Sequence, residues 1–149
     1  MRHLSRRDML ATGAGVLAVA ALGIEGAEAA NNAQDLIKTF TAGKAATEGK
    51  VKLDLPEIAE NGNTVPMTVT VESPMTDASY VSQVLVVADG NPNGGVVTFH
   101  FTPASGVAEA NTRIRLAQTQ TIIAVAKMND GSCFTTVRQV KVTIGGCGG

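Results

Sequence analysis

Val65-Pro66-Met67-Thr68-Val69-Thr70-Val71 decides the fold. Val65, Met67, Val69 and Val71 recur every second residue, and Thr68 and Thr70 fall between them. Side chains of an extended chain point alternately to its two faces, so this spelling describes a strand with one face in a core and one wet. Upstream, Val51-Lys52-Leu53-Asp54-Leu55 repeats the alternation until Pro56 ends it. Downstream, Tyr80 to Ala88 is almost continuously Val and Leu, which suits a strand covered on both faces. Runs at Val96–Phe101, Ala110–Leu116, Thr121–Met128 and Ser132–Ile144 complete a set of about seven strands. Between them lie Glu60-Asn61-Gly62-Asn63, Ser73-Pro74-Met75-Thr76-Asp77, Asp89 to Gly95, and Asn129-Asp130-Gly131. These are turn-forming residues, and Asp130-Gly131 between two strands is a hairpin signal. The expected fold is all-β, an immunoglobulin-like antiparallel β-sandwich. The chain has no Trp, so the antibody-type Cys…Trp…Cys arrangement is absent.

One helix precedes the strands. Asn31 to Ala42 places Leu36, Ile37 and Phe40 on a single apolar face, with Asn32 as the expected cap and Gly43 as the stop. Before it stands an export signal. Ser5-Arg6-Arg7-Asp8-Met9-Leu10 is a twin-arginine pattern built on Arg6 and Arg7, followed by an apolar run from Ala11 to Ile24. Ala27-Glu28-Ala29 is a small-x-small cleavage site, so residues 1–29 read as a cleaved twin-arginine signal peptide. That route carries folded proteins to the periplasm or an equivalent compartment. The signal holds three Arg and three acidic residues, leaving nine basic and ten acidic side chains in the mature chain. Such a balance speaks against a nucleic-acid or anionic-membrane partner. No second apolar run approaches membrane-spanning length.

The chain closes on Gly145-Gly146-Cys147-Gly148-Gly149. Glycine packs no side chain and loses the most entropy when ordered, so residues 145–149 read as a flexible arm on a domain of residues 30–144. Val137, Val140, Val142 and Ile144 are expected to anchor the last strand, and a five-residue arm spans at most about 17 Å. An ordinary thiol has a pKa near 8.5, and no neighbour of Cys147 in sequence lowers it. An unassisted thiol of this kind is a weak nucleophile, which points to a carrier rather than a catalyst. The enzyme receiving the arm must supply the activation.

Arrangements for self-sufficient chemistry are missing. Beyond the signal, with its His3, the only histidine is His100, readable as a structural strand residue or as a polar contact near a partner. Two cysteines without a CxxC, and one histidine, make a poor zinc set. Arg113 and Arg115 share one strand face, either as solvated charges or as an anion or partner contact. Cys133, in a strand-like segment, reads as a buried structural thiol or as one half of a disulfide to a partner.

Three segments carry a resemblance: Thr98-Phe99-His100-Phe101-Thr102-Pro103-Ala104-Ser105-Gly106, Thr112-Arg113-Ile114-Arg115-Leu116-Ala117-Gln118-Thr119-Gln120, and Val142 to Gly149. With the twin-arginine start, they make the chain closely resemble SoxY, the sulfur-carrier subunit of the bacterial thiosulfate-oxidising Sox system. The resemblance implies a protein that is not itself an enzyme and has no cofactor beyond a sulfur intermediate bound to Cys147. It implies that thiosulfate is joined to Cys147 as a cysteine S-thiosulfonate by a SoxXA-like haem protein. A SoxB-like di-manganese enzyme then releases sulfate, and a SoxCD-like enzyme, where present, oxidises the remaining sulfur. It further implies a heterodimer with a SoxZ-like subunit, exported as a folded pair. Two other readings of the residues stand beside it. One is a structural periplasmic β-sandwich that cross-links through its terminal cysteine. The other is a small thiol-redox enzyme using Cys133 and Cys147.

Overall fold

A computed structural model describes residues 31–146 of the chain. Its elements, in order, are helix α1 (Ala33–Phe40) and strands β1 (Thr47–Glu48), β2 (Val51–Asp54), β3 (Ile58–Ala59), β4 (Val65–Val71), β5 (Val81–Ala88), β6 (Gly95–His100), β7 (Ala108–Ile114), β8 (Gln120–Met128) and β9 (Cys133–Val142). A 3₁₀ turn at Pro103–Ser105 joins β6 to β7. Two sheets face one another. The larger runs β1-β9-β8-β5-β6, with β3 also paired to β9, and the smaller runs β2-β4-β7. This is the expected immunoglobulin-like sandwich.

β4 matches its sequence pattern residue for residue. Val65, Met67, Val69 and Val71 are buried, while Thr68 and Thr70 are half-exposed opposite Asn111 and Glu109 of β7. β5 is covered on both faces, with Val84 to Ala88 all buried. Its inner side, through Val84, Val86 and Ala88, joins Ile122, Ala124, Ala126 and Val140 against the small sheet. Its outer side, Leu85 and Val87, packs under α1 with Ala33, Leu36, Ile37 and Phe40. Lys127 lies over the Phe40 ring at 4.4 Å from its centroid, a cation–π contact that pins the helix end. α1 crosses the loop after β5 so closely that a Cβ on Gly94 would stand 2.5 Å from the Ala33 nitrogen. Only glycine fits there.

The helix cap differs from expectation. Asn32 occupies the cap position but makes no side-chain cap bond; its Oδ1 instead accepts the Gly94 N–H at 2.8 Å. Asn31 takes over locally, its Oδ1 accepting from the Ala33 N–H. The helix ends as expected: Gly43 has φ +77° and its N–H donates to the Lys38 carbonyl.

The last strand also differs. β9 ends at Val142, and of the four expected anchors only Val140 is fully buried. Val137 and Ile144 are 50% and 67% exposed. Val137 faces the outer side of the sheet past the reach of α1, and Ile144 lies beyond the last ladder bond. The hold on the C-terminal run comes from β3 instead. Ile58 and Ala59 pair in parallel with Lys141 and Val142. β1 does the same at the other end, pairing Thr47 and Glu48 with Phe134 and Thr135.

Candidate functional site

The C-terminal run leaves β9 between two segments from distant parts of the chain. On one side are residues 57–62. Lys141 and Thr143 donate their N–H groups to the carbonyls of Glu57 and Ala59, and the Thr143 hydroxyl donates to the Glu60 carbonyl. On the other side is the loop after β7. The Val142 N–H donates to Thr119 Oγ1 at 2.9 Å. The two sides meet at Gly62. Its N–H donates to the Ile144 carbonyl at 2.7 Å, and its carbonyl accepts the Leu116 N–H at 2.8 Å. The Leu116 carbonyl in turn accepts the Gly146 N–H at 2.8 Å. Three chain segments thus close a ring of backbone hydrogen bonds at the foot of the tail.

Glycine is required in that ring for space. A Cβ on Gly62 would stand 2.2 Å from the Leu116 oxygen and 2.8 Å from the Gly146 nitrogen. A Cβ on Gly145 would stand 2.1 Å from the Ala117 oxygen. Gly145 and Gly146, drawn from the sequence as the first residues of a flexible arm, are therefore seated against the sandwich. Their lack of a side chain allows close approach here, which is the opposite use of glycine from a hinge.

A buried amide pair holds the loop that forms this seat. Asn91 and Gln120 are 4% and 5% exposed. Asn91 Nδ2 donates to the Arg115 carbonyl, and Asn91 Oδ1 accepts from the Ala117 N–H at 2.9 Å and from Gln120 Nε2 at 2.7 Å. Gln120 Oε1 accepts the Gly90 N–H at 2.8 Å. Every polar atom of both buried amides has a partner, and among the described residues no buried side-chain polar atom lacks one. Residues 115–118 consequently have a fixed backbone with Leu116 wholly buried beneath them.

The other residues singled out from sequence lie apart from this seat or outside the description. Arg6, Arg7, Cys147, Gly148 and Gly149 fall outside the described residues. Arg113 and Arg115 are exposed beside a groove of about 280 Å³ between the β6 and β7 edges, floored by Val96 and Val97. Arg113 reaches Thr64 Oγ1 at 3.4 Å. His100 is exposed at the end of β6. A wider depression of about 600 Å³ between β2 and β9 carries Lys52, Asp54, Glu57 and Arg138, with no thiol, hydroxyl or imidazole among its lining. Among the described residues no His, Cys, Asp and Glu converge as a metal site.

Cys133 is a free thiol, 4% exposed, with Sγ 3.6 Å from the Gly131 carbonyl. Burial pushes its pKa up, an effect partly offset by the charges of Lys127 and Lys44. It faces Lys127, whereas Val140, near the tail's foot, faces Gln120. Seven residues of strand separate the two positions, roughly 23 Å. Cys133 should accordingly be slow to alkylate in the folded chain, with a rate that rises at higher pH than for a small free thiol and increases sharply in denaturant. Fast labelling of Cys133 at neutral pH in the native state would contradict the burial described.

The model of the sulfur oxidation protein SoxY matches residues 37–147, from α1 through the seat to the cysteine of the tail. The chain belongs to the SoxY family. Among solved structures, the sulfur carrier protein SoxY from Chlorobium limicola f thiosulfatophilum is similar with a TM-score of 0.62 and 28% identity, over 72% of this chain and 89% of that one. A superoxide reductase (neelaredoxin) from Ignicoccus hospitalis is similar with a TM-score of 0.57 and 16% identity, over 63% of this chain and 80% of that one. A hypothetical protein from Pyrococcus horikoshii follows with a TM-score of 0.55 and 13% identity, over 70% and 99%. These last two share the fold alone. No curated protein gives a match.

The seat of this SoxY-family chain was not foreseeable as a site. Gly62 reads as one more turn residue in Asn61-Gly62-Asn63, and Asn91 as one more in Asp89 to Gly95. Leu116, Ala117, Thr119 and Gln120 do fall in one of the segments that carry the resemblance. Their part in seating the tail depends on which distant backbone they meet.

Proposed function

We propose that this chain is a covalent carrier of sulfur intermediates, with Cys147 as the attachment atom and no activity of its own. The observation that carries the reading is the family match, which extends to Cys147. The seat adds support, because it anchors the chain one residue before that cysteine. The Chlorobium relative is itself a sulfur carrier protein.

In this reading the Cys147 thiol and thiosulfate join through a new S–S bond to give a cysteine S-thiosulfonate. Two electrons and one proton leave, the electrons passing to a haem-bearing oxidase of the SoxXA kind. Water then cleaves the terminal sulfone in a SoxB-like enzyme, releasing hydrogensulfate and leaving a persulfide on Cys147. No neighbour of Cys147 in sequence activates it, so deprotonation is the partner's task. A SoxZ-like subunit completes a heterodimer, SoxCD-like enzymes act where present, and the twin-arginine leader directs the pair to the periplasm.

Intact-mass spectrometry of the chain, before and after incubation with thiosulfate and the oxidising partner, tests this. An added mass of one thiosulfate residue mapping to Cys147 is expected. A product explained only by a disulfide dimer would instead favour a cross-linking protein.

A further inference from the structure

We infer that Gly62 is the positioning residue of the tail: a glycine from the β3–β4 connection that holds the chain at Ile144, leaves the room Gly146 needs to bond Leu116, and so sets where the carrier cysteine emerges. The inference rests on the carrier reading for its functional meaning, but its geometry stands on described residues alone. Gly62 and Leu116 each bond to both of their neighbours in the ring, and Gly62 is the one that joins the tail's Ile144 to Leu116, donating to the first and accepting from the second. Its missing side chain leaves the space that the Gly146 nitrogen and the Leu116 oxygen occupy. Gly145 makes the matching approach to Ala117 from the tail's side. Two glycines distant in sequence are therefore fitted to one crossing, and neither contact tolerates a methyl group without displacing backbone.

The clamp divides the tail's glycines by role. Gly145 and Gly146 belong to the seat, so Cys147 is the first residue past it, its Cα about 3.8 Å from that of Gly146. A partner cannot draw Cys147 further without breaking the Gly146–Leu116 bond. The surface around Gly62, Leu116 and Ala117 must then lie close to the mouth of any cleft that takes the cysteine. Fixing the exit point narrows the volume the thiol explores, which raises its effective concentration at a docked enzyme's entrance.

The test uses the full mature chain with thiosulfate and its oxidising partner, comparing Gly62→Ala and Gly145→Ala with the parent. Three quantities are read: hydrogen exchange at the Gly146 amide, alkylation of Cys147 by iodoacetamide without partner, and partner-dependent thiosulfate loading. In both variants the Gly146 amide should exchange about tenfold faster, as expected for release of one backbone hydrogen bond. Alkylation should change by less than about twofold, since it follows thiolate content and access. Partner-dependent loading should fall about tenfold in kcat/KM, with the loss mainly in KM, because docking no longer presents the cysteine at a set point. Unchanged exchange would overturn the clamp. Faster exchange with undiminished loading would overturn the positioning role while leaving the carrier intact. Absence of any adduct in the parent chain would instead overturn the carrier reading. Should Gly62→Ala not fold, Gly145→Ala carries the test, since it lies beyond the last strand.

Discussion

Replacing Cys147 by serine is expected to abolish thiosulfate loading and thiosulfate-dependent electron release. A serine hydroxyl cannot form the sulfur–sulfur bond on which a thiosulfonate depends, and at neutral pH it is far less ionised than a thiol. The change adds no bulk and touches none of the ring bonds at Gly62, Leu116 and Gly146. Stability should therefore stay within about 0.5 kcal/mol of the parent. Circular dichroism and denaturant melts check the fold, and electron transfer to a haem acceptor checks the function. Turnover that survives the substitution would exclude Cys147 as the attachment site, and the carrier reading would go with it.

The second large effect belongs to a residue with no sulfur chemistry. Asn91→Ala should cost about 2 kcal/mol, since the Ala117 N–H and the Arg115 carbonyl lose their partners in a part-buried setting, at the low end of the about 1–3 kcal/mol that each orphaned group is worth. Gln120 Nε2 keeps its bond to the Gln118 carbonyl and so adds little. Because the same loop seats the tail, the Gly146 amide should also exchange faster in this variant. Asn93→Ala is the control. Its Oδ1 accepts only the nearby Gly95 N–H at an exposed site, so its cost should stay within about 0.5 kcal/mol. Equal losses in the two variants, read from urea midpoints at constant slope, would mean that the buried amide pair does not hold the loop.

What could be read from the sequence follows from the range of the forces involved. β4, β5, β8 and the hairpin at Asp130-Gly131 are written in local alternation and turn chemistry, and each lies within two residues of its expected place. Asp130 shows why the turn is so legible: its carboxylate accepts from both the hydroxyl and the N–H of Ser132, and these bonds lower its pKa. β1 and β3 are two residues each and exist only because β9 lies alongside them, so no period announces them. The apolar spelling of Val137 and Ile144 suggested anchors, yet burial depends on what covers a face, and nothing described covers theirs. The seat was hidden for the same reason. Glycine in a sequence states only that a side chain is absent; whether the chain uses that absence to bend or to approach closely is settled in three dimensions.

β9 has a further consequence. An exposed sheet edge is a template on which identical chains can add strand to strand and aggregate. Here β1 occupies one end of that edge and β3 the other, leaving the stretch around Val137 and Gln139 between them. A foreign strand could form only a few ladder bonds there before meeting one blocker or the other. Arg138 also turns inward, its Nε donating to the Leu53 carbonyl across the sandwich. Two pairings too short to matter for the core thus block strand addition along the β9 edge.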